Sequence, residues 1–407
     1  MITKGTLRTA LVSGPPYDLL YDRIPQFESE AGWQVEIAHR SPPGDLAYHL
    51  EGALLSGTPY DVVSVDTRTL GRLSPWLLPL GDALPAEDWA DFYPLAAHGC
   101  RVAGVPCALP RAMRIPLLHY RSDLLEDNRE IGWYQEDTDR ALRVPETWEE
   151  LAAVAQYFTR PPRIYGFPFA GRAPALVGLF GEMMGAYGGA LFDPMGPPRF
   201  ATPLGGWVAF LLRDLYRRWS TTPEESLEWG DADVADAFRR GSAAMARDWP
   251  ESFADLRDSA RSSVAGWLAL APPPAGIGGR RRAWTTVLGF AVPQASLYRD
   301  GAVALARFLT DKMSQRVDAQ MGAFPARESA TIEYGDTLRE GSLSRTRWRL
   351  LEQAARSHAV CPPTFPGYLE AEETLGAALR SVLQGYRDPG DALRQAQRDI
   401  EAAMEEG

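Results

Sequence analysis

The chain lacks any long hydrophobic run, which limits the classes of protein to which it can belong. No stretch reaches the ~18 apolar residues of a membrane-spanning helix, so we expect no membrane span. The first residues, MITKGTLRTALVSGPPYD, include Lys4 and Arg8, but the apolar piece TALVSG is too short for the core of a signal peptide. The sequence fits either a cytoplasmic protein or a chain whose export signal has been removed.

Lysine is nearly absent, and acidic residues dominate the charge. Lys4 and Lys312 are the two lysines among 42 basic residues, and 53 acidic residues give a net charge of -11. A nucleic-acid-binding protein would carry a basic surface, so we expect no nucleic-acid partner.

Cysteine is scarce as well. The three cysteines form no C-x-x-C pair, which argues against zinc and thioredoxin-type sites. The segment CRVAGVPC predicts a hairpin that turns at Ala103-Gly104 and places Cys100 opposite Cys107. The Cβ separation of ~4.5–5.5 Å in such a pair is slightly long for a disulfide, so the sequence leaves open whether these two thiols are bonded. Cys361 is then a free thiol.

Sequence motifs of common enzymes are also missing. The chain contains none of the patterns G-x-S-x-G, G-x-x-x-x-G-K-[ST], H-E-x-x-H or G-x-G-x-x-G, and its five histidines are scattered. We therefore expect no catalytic set, no metal site and no cofactor.

The order of predicted elements indicates an α/β protein. The segments 6–14, 33–40 and 60–66 have strand patterns, and helical periodicity lies between them, which predicts a lobe with a parallel sheet. Since a single core stops growing at ~250–300 residues, 407 residues indicate two lobes.

Aromatic residues are plentiful, with 12 tryptophans and 15 tyrosines. Several lie at the predicted ends of elements, most of them beside glycine or proline, namely Tyr17, Tyr187, Trp249, Trp284 and Tyr368. Such side chains either form a stacking surface for a ligand such as a sugar ring or pack in the core.

The chain contains a series of short motifs in a characteristic order. They are FESEAGWQV (27–35), SGTPYDVVSVD (56–66), WLLPL (76–80), GVP (104–106), LHYRSDLL (118–125), PETWEEL (145–151), FRRGSAAM (238–245), APPPAG (271–276) and FPARES (324–329). With these motifs the chain resembles, from about Leu7 to about Gln384, the extracellular solute-binding proteins of ABC importers, family 1, the carbohydrate type that includes maltodextrin binders.

The resemblance implies a two-lobed α/β fold of the periplasmic-binding-protein type II class, with a ligand cleft between lobes joined by hinge crossovers. It implies an N-terminal lobe of residues 1–110 and 270–323 and a C-terminal lobe of residues 111–269 and 324–407, with hinges near 110, 269 and 324. It also implies an extracytoplasmic, non-enzymatic monomer that hands a small sugar or oligosaccharide to an ABC permease in the membrane.

The resemblance also implies ligand-binding residues. Those expected at the ligand are Pro16, Tyr17, Asp66, Thr67, Arg114, Arg172, Trp249, Trp284 and Tyr368. Trp249 follows a short strand predicted at 242–246, where it either stacks on a ligand or fills the hinge. Arg172 follows RIYGFPFAG, which we predict to be a strand. Arg114 and Arg172 either contact the ligand or form salt bridges between the lobes.

Two alternatives remain open. Arg114 stands where maltodextrin-type members tend to carry acidic or neutral groups, and arginine binds carboxylate and phosphate in a bidentate manner. An anionic ligand, such as a sugar acid or glycerol phosphate, is therefore an alternative to a neutral sugar. A cytoplasmic enzyme or sensor on the same scaffold is the other alternative, since fold does not fix function.

Overall fold

A computed structural model describes residues 4–193 and 197–406, so residues 1–3, 194–196 and 407 of the predicted lobes lie outside the described residues. The strands in the described part are β1 Thr6–Val12, β2 Gln34–Ser41, β3 Val62–Asp66, β4 Arg101–Val102, β5 Val105–Pro106, β6 Leu109–Arg114, β7 Leu117–Arg121, β8 Met245–Asp248, β9 Leu268–Ala271, β10 Ala283–Trp284, β11 Thr286–Ala291, β12 Phe324–Pro325 and β13 Ala359–Val360.

The α-helices in the same residues are α1 Ile24–Ala31, α2 Pro43–Leu55, α3 Thr67–Leu73, α4 Ala86–Ala90, α5 Pro94–Gly99, α6 Ser122–Leu125, α7 Asn128–Thr138, α8 Trp148–Phe158, α9 Ala173–Ala186, α10 Pro203–Arg213, α11 Asp231–Arg239, α12 Phe253–Arg257, α13 Arg299–Leu309, α14 Lys312–Gln320, α15 Glu328–Thr337, α16 Leu343–Ser357, α17 Tyr368–Leu383 and α18 Pro389–Glu406. In the described part of the chain, none of these helices is both long and apolar enough to cross a bilayer.

The chain folds into two compact units, each of which is discontinuous in sequence. Unit 1 takes Met1–Ile115, Thr285–Arg345 and Cys361–Leu369, and unit 2 takes Pro116–Trp284, Thr346–Val360 and Glu370–Gly407. This division differs from the predicted lobes: residues 270–284 belong to unit 2, whereas 324–345 and 361–369 belong to unit 1. Pairing explains one difference, because β12 joins β6 of unit 1.

Unit 1 is built on a six-stranded sheet in the order β12-β6-β11-β3-β1-β2. Strands β2, β1 and β3 are parallel, with α1 and α2 in the connections, as the alternation of strand and helix patterns predicts. Strand β11 lies antiparallel between β3 and β6. All five residues of β3 are buried, which fits its β-branched composition.

The predicted hairpin in unit 1 is confirmed. Strands β4 and β5 pair in an antiparallel manner around Ala103 and Gly104, whose φ angles are 48° and 82°. Positive φ at both central residues is the geometry of a type I′ turn, which matches the twist of the two strands. The amide of Cys107 donates to the carbonyl of Cys100 at 2.9 Å, and all three cysteines are free thiols.

Unit 2 contains the antiparallel sheet β8-β7-β9 and the parallel pair β10-β13. The predicted start of α8 is confirmed, since the Thr147 hydroxyl accepts a hydrogen bond from the Glu150 amide at 3.2 Å. Helix α9 has twelve buried residues among its fourteen, which places it in the core of this unit.

The strand predicted for residues 163–171 is not formed. Its amides instead bond to separate partners, from Tyr165 to Ser242 at 2.9 Å and from Phe167 to Thr221 at 3.1 Å. Pro168 has no amide hydrogen, so it cannot extend a hydrogen-bonded ladder.

The segment that leads to Trp249 largely follows the prediction. Helix α11 ends at Arg239, and Gly241 follows with a φ of 80°. The strand begins at Met245, three residues later than predicted, and ends at Asp248. Trp249 therefore begins the turn that leaves the sheet of unit 2.

Candidate functional site

Strand geometry places Arg247 and Trp249 on the same side of β8, because side chains two residues apart point to one face. The guanidinium carbon of Arg247 lies 4.6 Å from the centre of the Trp249 ring. This is a close cation–π contact. Trp249 is 8% exposed, so its indole is largely enclosed within unit 2.

Asp248 fixes the turn from the opposite side of β8. Its carboxylate accepts a hydrogen bond from the Trp249 amide at 2.7 Å and another from the Ser252 hydroxyl. The Nδ1 atom of His119, on the neighbouring strand β7, lies 3.4 Å from the same carboxylate. These contacts hold the backbone of Trp249 at the end of the strand.

Glu182 of α9 joins the elements that carry the two tryptophans. Its Oε2 atom accepts from Arg247 Nε at 3.0 Å and from the Trp284 amide at 3.1 Å. The side chain of Glu182 is 1% exposed, and burial raises the pKa of its carboxyl group, against the opposing effect of Arg247. We use the name arginine–tryptophan cluster for four residues of unit 2, namely Glu182, Arg247, Trp249 and Trp284.

Two glycines of α9 admit the Trp284 side chain. A Cβ atom at Gly178 would lie 3.1 Å from the indole, and one at Gly181 would lie 2.9 Å from it. Both distances are shorter than an ordinary carbon contact, so the helix accepts the ring only because side chains are missing there. Trp284 itself is 8% exposed.

Arg172 lies at the start of α9 and is not part of this cluster. It is exposed, and its amide donates to the carbonyl of Trp229 at 3.1 Å. Glu182 is ten residues further along α9, which corresponds to about 15 Å along the axis at ~1.5 Å per residue. Arg172 therefore lies apart from the cluster on unit 2.

In unit 1, Asp66 and Thr67 form the start of α3. Asp66 is the N-cap and accepts from the Thr69 amide and hydroxyl, both at 2.9 Å. The Thr67 hydroxyl accepts from the Val287 amide at 2.9 Å and donates to the Val287 carbonyl at 3.2 Å. With no exposed surface, Thr67 has its hydroxyl committed to the sheet.

Arg114 lies at the same end of that sheet. It is the last residue of β6 and pairs with Thr286 of β11, whereas Asp66 pairs with Leu288 on the other side of β11. Neighbouring strands are ~4.8 Å apart and the two pairings are two residues apart along β11, so Asp66 and Arg114 are separated by about 12 Å across that strand. Arg114 is half-buried, whereas Asp66 is buried, with 9% of its surface exposed.

Pro16 and Tyr17 are buried in unit 1. The Tyr17 carbonyl accepts from Arg111 Nη2 at 2.8 Å, and the Arg111 guanidinium carbon lies 5.3 Å from the Tyr17 ring centre. Tyr17 is thus held by a buried arginine, and its ring is 3% exposed.

Tyr368 begins α17 and has no exposed surface. Its ring packs edge-on against Phe365, with 5.8 Å between the centres. In the described residues no group of three or more histidine, cysteine, aspartate or glutamate side chains is arranged to hold a metal ion.

Sequence reasoning missed Arg247 and Glu182. Two signals for them were present: Arg247 is two residues from the predicted Trp249 in a strand, and Glu182 is the one acidic residue in the apolar segment APALVGLFGEMMGA. An acidic residue inside a buried helix needs a charged partner, and arginine is the usual one.

Known proteins resemble the chain over most of its length. A family model described as "Bacterial extracellular solute-binding protein" matches residues 14–316. The "Probable ABC transporter-binding protein" of Deinococcus radiodurans is 24% identical over 347 residues, which is 82% of this chain and 77% of that protein. The "Mannitol-binding protein" of Pseudomonas aeruginosa is 25% identical over 352 residues, which is 81% of this chain and 76% of that protein.

A solved structure described as "Maltose bound T. maritima MalE3" has the same fold. It matches with a TM-score of 0.82 and 22% identity over 98% of this chain and 100% of that one. The likeness confirms the predicted fold class, the two-lobed α/β fold of periplasmic binding proteins.

Proposed function

Because the chain belongs to the bacterial extracellular solute-binding proteins, we propose that it captures a small sugar, polyol or oligosaccharide for an ABC permease in the membrane. Members of this family bind a solute outside the cytoplasm and pass it to a membrane transporter. The related protein of Pseudomonas aeruginosa is named for mannitol, and the solved T. maritima protein holds maltose. These ligands have many hydroxyl groups and no charge.

One observation supports this ligand class above the others. In the arginine–tryptophan cluster, the Trp249 ring lies beside the Arg247 guanidinium, with 4.6 Å between them. A sugar or polyol offers C–H faces that pack on an indole and hydroxyl oxygens that accept from a guanidinium. The cluster therefore combines the two kinds of contact that such a ligand needs.

The candidate residues take different roles in this proposal. Trp249 and Trp284 are the proposed ligand contacts of unit 2, and Asp66 and Arg114 are the polar candidates of unit 1. Thr67, Tyr17 and Tyr368 are buried, so they support the site, as does Pro16. Arg172, exposed at the start of α9, contacts the longer members of an oligosaccharide series.

Further parts of the proposal concern the state of the protein. We infer that it acts outside the cytoplasm as a monomer, without nucleic acid, and releases its ligand chemically unchanged. In this proposal the hinges lie where the chain passes from one unit to the other, at 115/116, 284/285, 345/346, 360/361 and 369/370, whereas the sequence predicts hinges near 110, 269 and 324.

Calorimetry and thermal unfolding with a ligand panel test the proposal. The panel contains hexitols, mono- and disaccharides, a sugar acid and glycerol phosphate. A neutral member should bind, and its stabilisation should grow with concentration, to about 2.7 kcal/mol at 100 times Kd. The neutral class is wrong if the sugar acid or the phosphate binds and no neutral compound does.

Mass spectrometry of the released ligand should find it unaltered; a changed mass would reveal catalysis.

A pair of tryptophan variants tests the position of the site. Trp249→Ala should weaken binding of the neutral ligand at least tenfold, because the stacking surface is lost. Trp267, which is 52% exposed in unit 2, is the control, and Trp267→Ala should leave Kd within twofold. Equal effects of the two variants would remove Trp249 from the site.

A further inference from the structure

We propose that Arg247 determines specificity in unit 2, and that its Nη2 atom donates a hydrogen bond to an uncharged ligand oxygen rather than to a carboxylate or phosphate. This inference rests on the proposed function and narrows its ligand class. It assigns a role to a residue that the sequence motifs do not single out.

The first support is an unsatisfied donor. The Arg247 side chain is 8% exposed, and its Nη2 atom is buried without a hydrogen-bond partner among the described residues. A buried donor with no acceptor is unfavourable, so native proteins rarely retain one unless a bound molecule completes it. A ligand oxygen would supply the missing acceptor.

A second arginine of this chain provides an internal comparison. Arg111 in unit 1 is also buried, and it donates from Nε and Nη2 to Asp318, from Nη1 to Tyr21 and from Nη2 to the Tyr17 carbonyl. Arg247 donates to Glu182 from Nε. Each guanidinium nitrogen of Arg111 thus has at least one acceptor, whereas Nη2 of Arg247 has none among the described residues.

The Nη2 atom has almost no accessible surface in this structure, so a ligand oxygen reaches it only when neighbouring side chains move. Gly178 is the α9 residue beside it, and a Cβ atom there would lie 3.7 Å from Nη2. No side chain from that position of α9 covers the nitrogen. The Trp249 ring lies 4.6 Å from the guanidinium carbon and shields one region of the group.

Charge balance selects the kind of oxygen. The positive charge of Arg247 is compensated by Glu182, whose Oε2 atom lies 3.0 Å from Nε of the arginine. The Glu182 side chain is 1% exposed. An anionic ligand would bring a second negative charge to this one guanidinium in a poorly solvated place. A hydroxyl or ring oxygen accepts the hydrogen bond without adding charge.

The test compares two variants with the parent protein by calorimetry, using a hexitol or disaccharide found in the panel and a sugar acid. Arg247→Lys keeps the charge but loses the second donor, and it should weaken binding of the neutral ligand at least tenfold. The matched control is Arg213→Lys, since Arg213 on α10 lies 4.5 Å from the Phe210 ring outside the cluster. It should leave Kd within twofold. An Arg247→Lys variant that binds as the parent does overturns the inference.

Glu182→Gln tests the charge argument separately. It removes the compensating charge but keeps the shape of the side chain, so the ratio of affinities, acid to neutral ligand, should rise at least tenfold. If the ratio of acid to neutral affinity is unchanged, the inference that Arg247 selects an uncharged ligand oxygen is wrong. A parent protein that binds no sugar or polyol contradicts the proposed function and the inference together, whereas a parent that binds a neutral ligand with an affinity unchanged in Arg247→Lys contradicts the inference alone.

Discussion

The guanidinium of Arg111 donates two hydrogen bonds to the carboxylate of Asp318, from Nε at 2.7 Å and from Nη2 at 2.8 Å. The two side chains are 1% and 0% exposed. Arg111 lies on β6 and Asp318 on α14, so this bidentate pair joins segments of unit 1 that are 207 residues apart in sequence. The Tyr21 hydroxyl and the Tyr17 carbonyl accept two further hydrogen bonds from the arginine.

Removing either partner of this pair should destabilise the protein strongly. Arg111→Ala should lower the free energy of unfolding by about 3–5 kcal/mol, because a buried carboxylate is left without its counter-ion. The control is Glu36→Gln, which breaks the Arg8–Glu36 pair, whose side chains are 42% and 52% exposed. A change of at most about 1 kcal/mol is expected there. Urea unfolding measures both, and similar losses would contradict the assigned role of the buried pair.

The contact between α9 and Trp284 predicts an unusual response to alanine. Gly181→Ala improves helix propensity but places a Cβ atom 2.9 Å from both the Trp284 ring and Leu191. The overpacking should dominate and lower stability by about 1–3 kcal/mol. Gly206→Ala in α10, where a Cβ would meet no atom within 4 Å, should instead raise stability by about 0.5–1 kcal/mol. Thermal unfolding measures whether the two variants change stability in opposite directions. A stabilised Gly181→Ala variant would show that α9 can shift to accommodate the added Cβ atom.

Local patterns were enough to predict much of the fold. The succession β1, α1, β2, α2 and β3 follows from periodicity, and the hairpin follows from Ala103-Gly104. The place of β11 between β3 and β6 could not be predicted, because such pairing depends on contacts between distant segments. The same reason explains why the predicted lobe boundaries differ from the observed units.

Local patterns singled out some residues of the candidate site, whose role in binding stays a prediction. Trp249 was singled out because it follows a short predicted strand, but its position beside Arg247 depends on the strand's exact start, which a pattern of small residues does not give. Thr67 was expected at the ligand because it follows a buried strand, yet its hydroxyl bonds to Val287, 220 residues away. A sequence read locally shows where a side chain emerges, and long-range packing decides what it meets.

The thiols should react slowly in the native protein. Burial raises the pKa of Cys107 and of Cys100, and it raises the pKa of Cys361 to about 12. Compared with a free cysteine of pKa ~8.5, the thiolate fraction of Cys361 at pH 8 falls by about three orders of magnitude. Iodoacetamide at pH 8, followed by intact-mass measurement, should modify three thiols in denaturant and none rapidly in the native protein. Rapid native alkylation would contradict the burial of Cys100 and Cys107 or the raised pKa of Cys361.

The preference for a neutral over an anionic ligand should depend on pH, because Glu182 titrates. Burial raises the pKa of its carboxyl group above the ordinary range, so acidification protonates it earlier than an exposed glutamate. Protonation removes the charge that compensates Arg247, and the ratio of acid to neutral ligand affinity should then rise as the pH falls. Between the unfolded and folded pKa values the native state binds more protons than the unfolded chain, so this group lowers the free energy of unfolding as the pH increases.

Calorimetry and urea unfolding from pH 8 to 4.5 measure both effects. In Glu182→Gln the side chain cannot titrate, so subtracting its pH profile from that of the parent isolates this carboxyl from other acidic groups such as Asp318, whose pKa burial also raises. Identical profiles of parent and variant would mean that Glu182 does not titrate in this range. A ratio that falls on acidification would reverse the sign and contradict the pairing of Glu182 with Arg247 as the origin of selectivity.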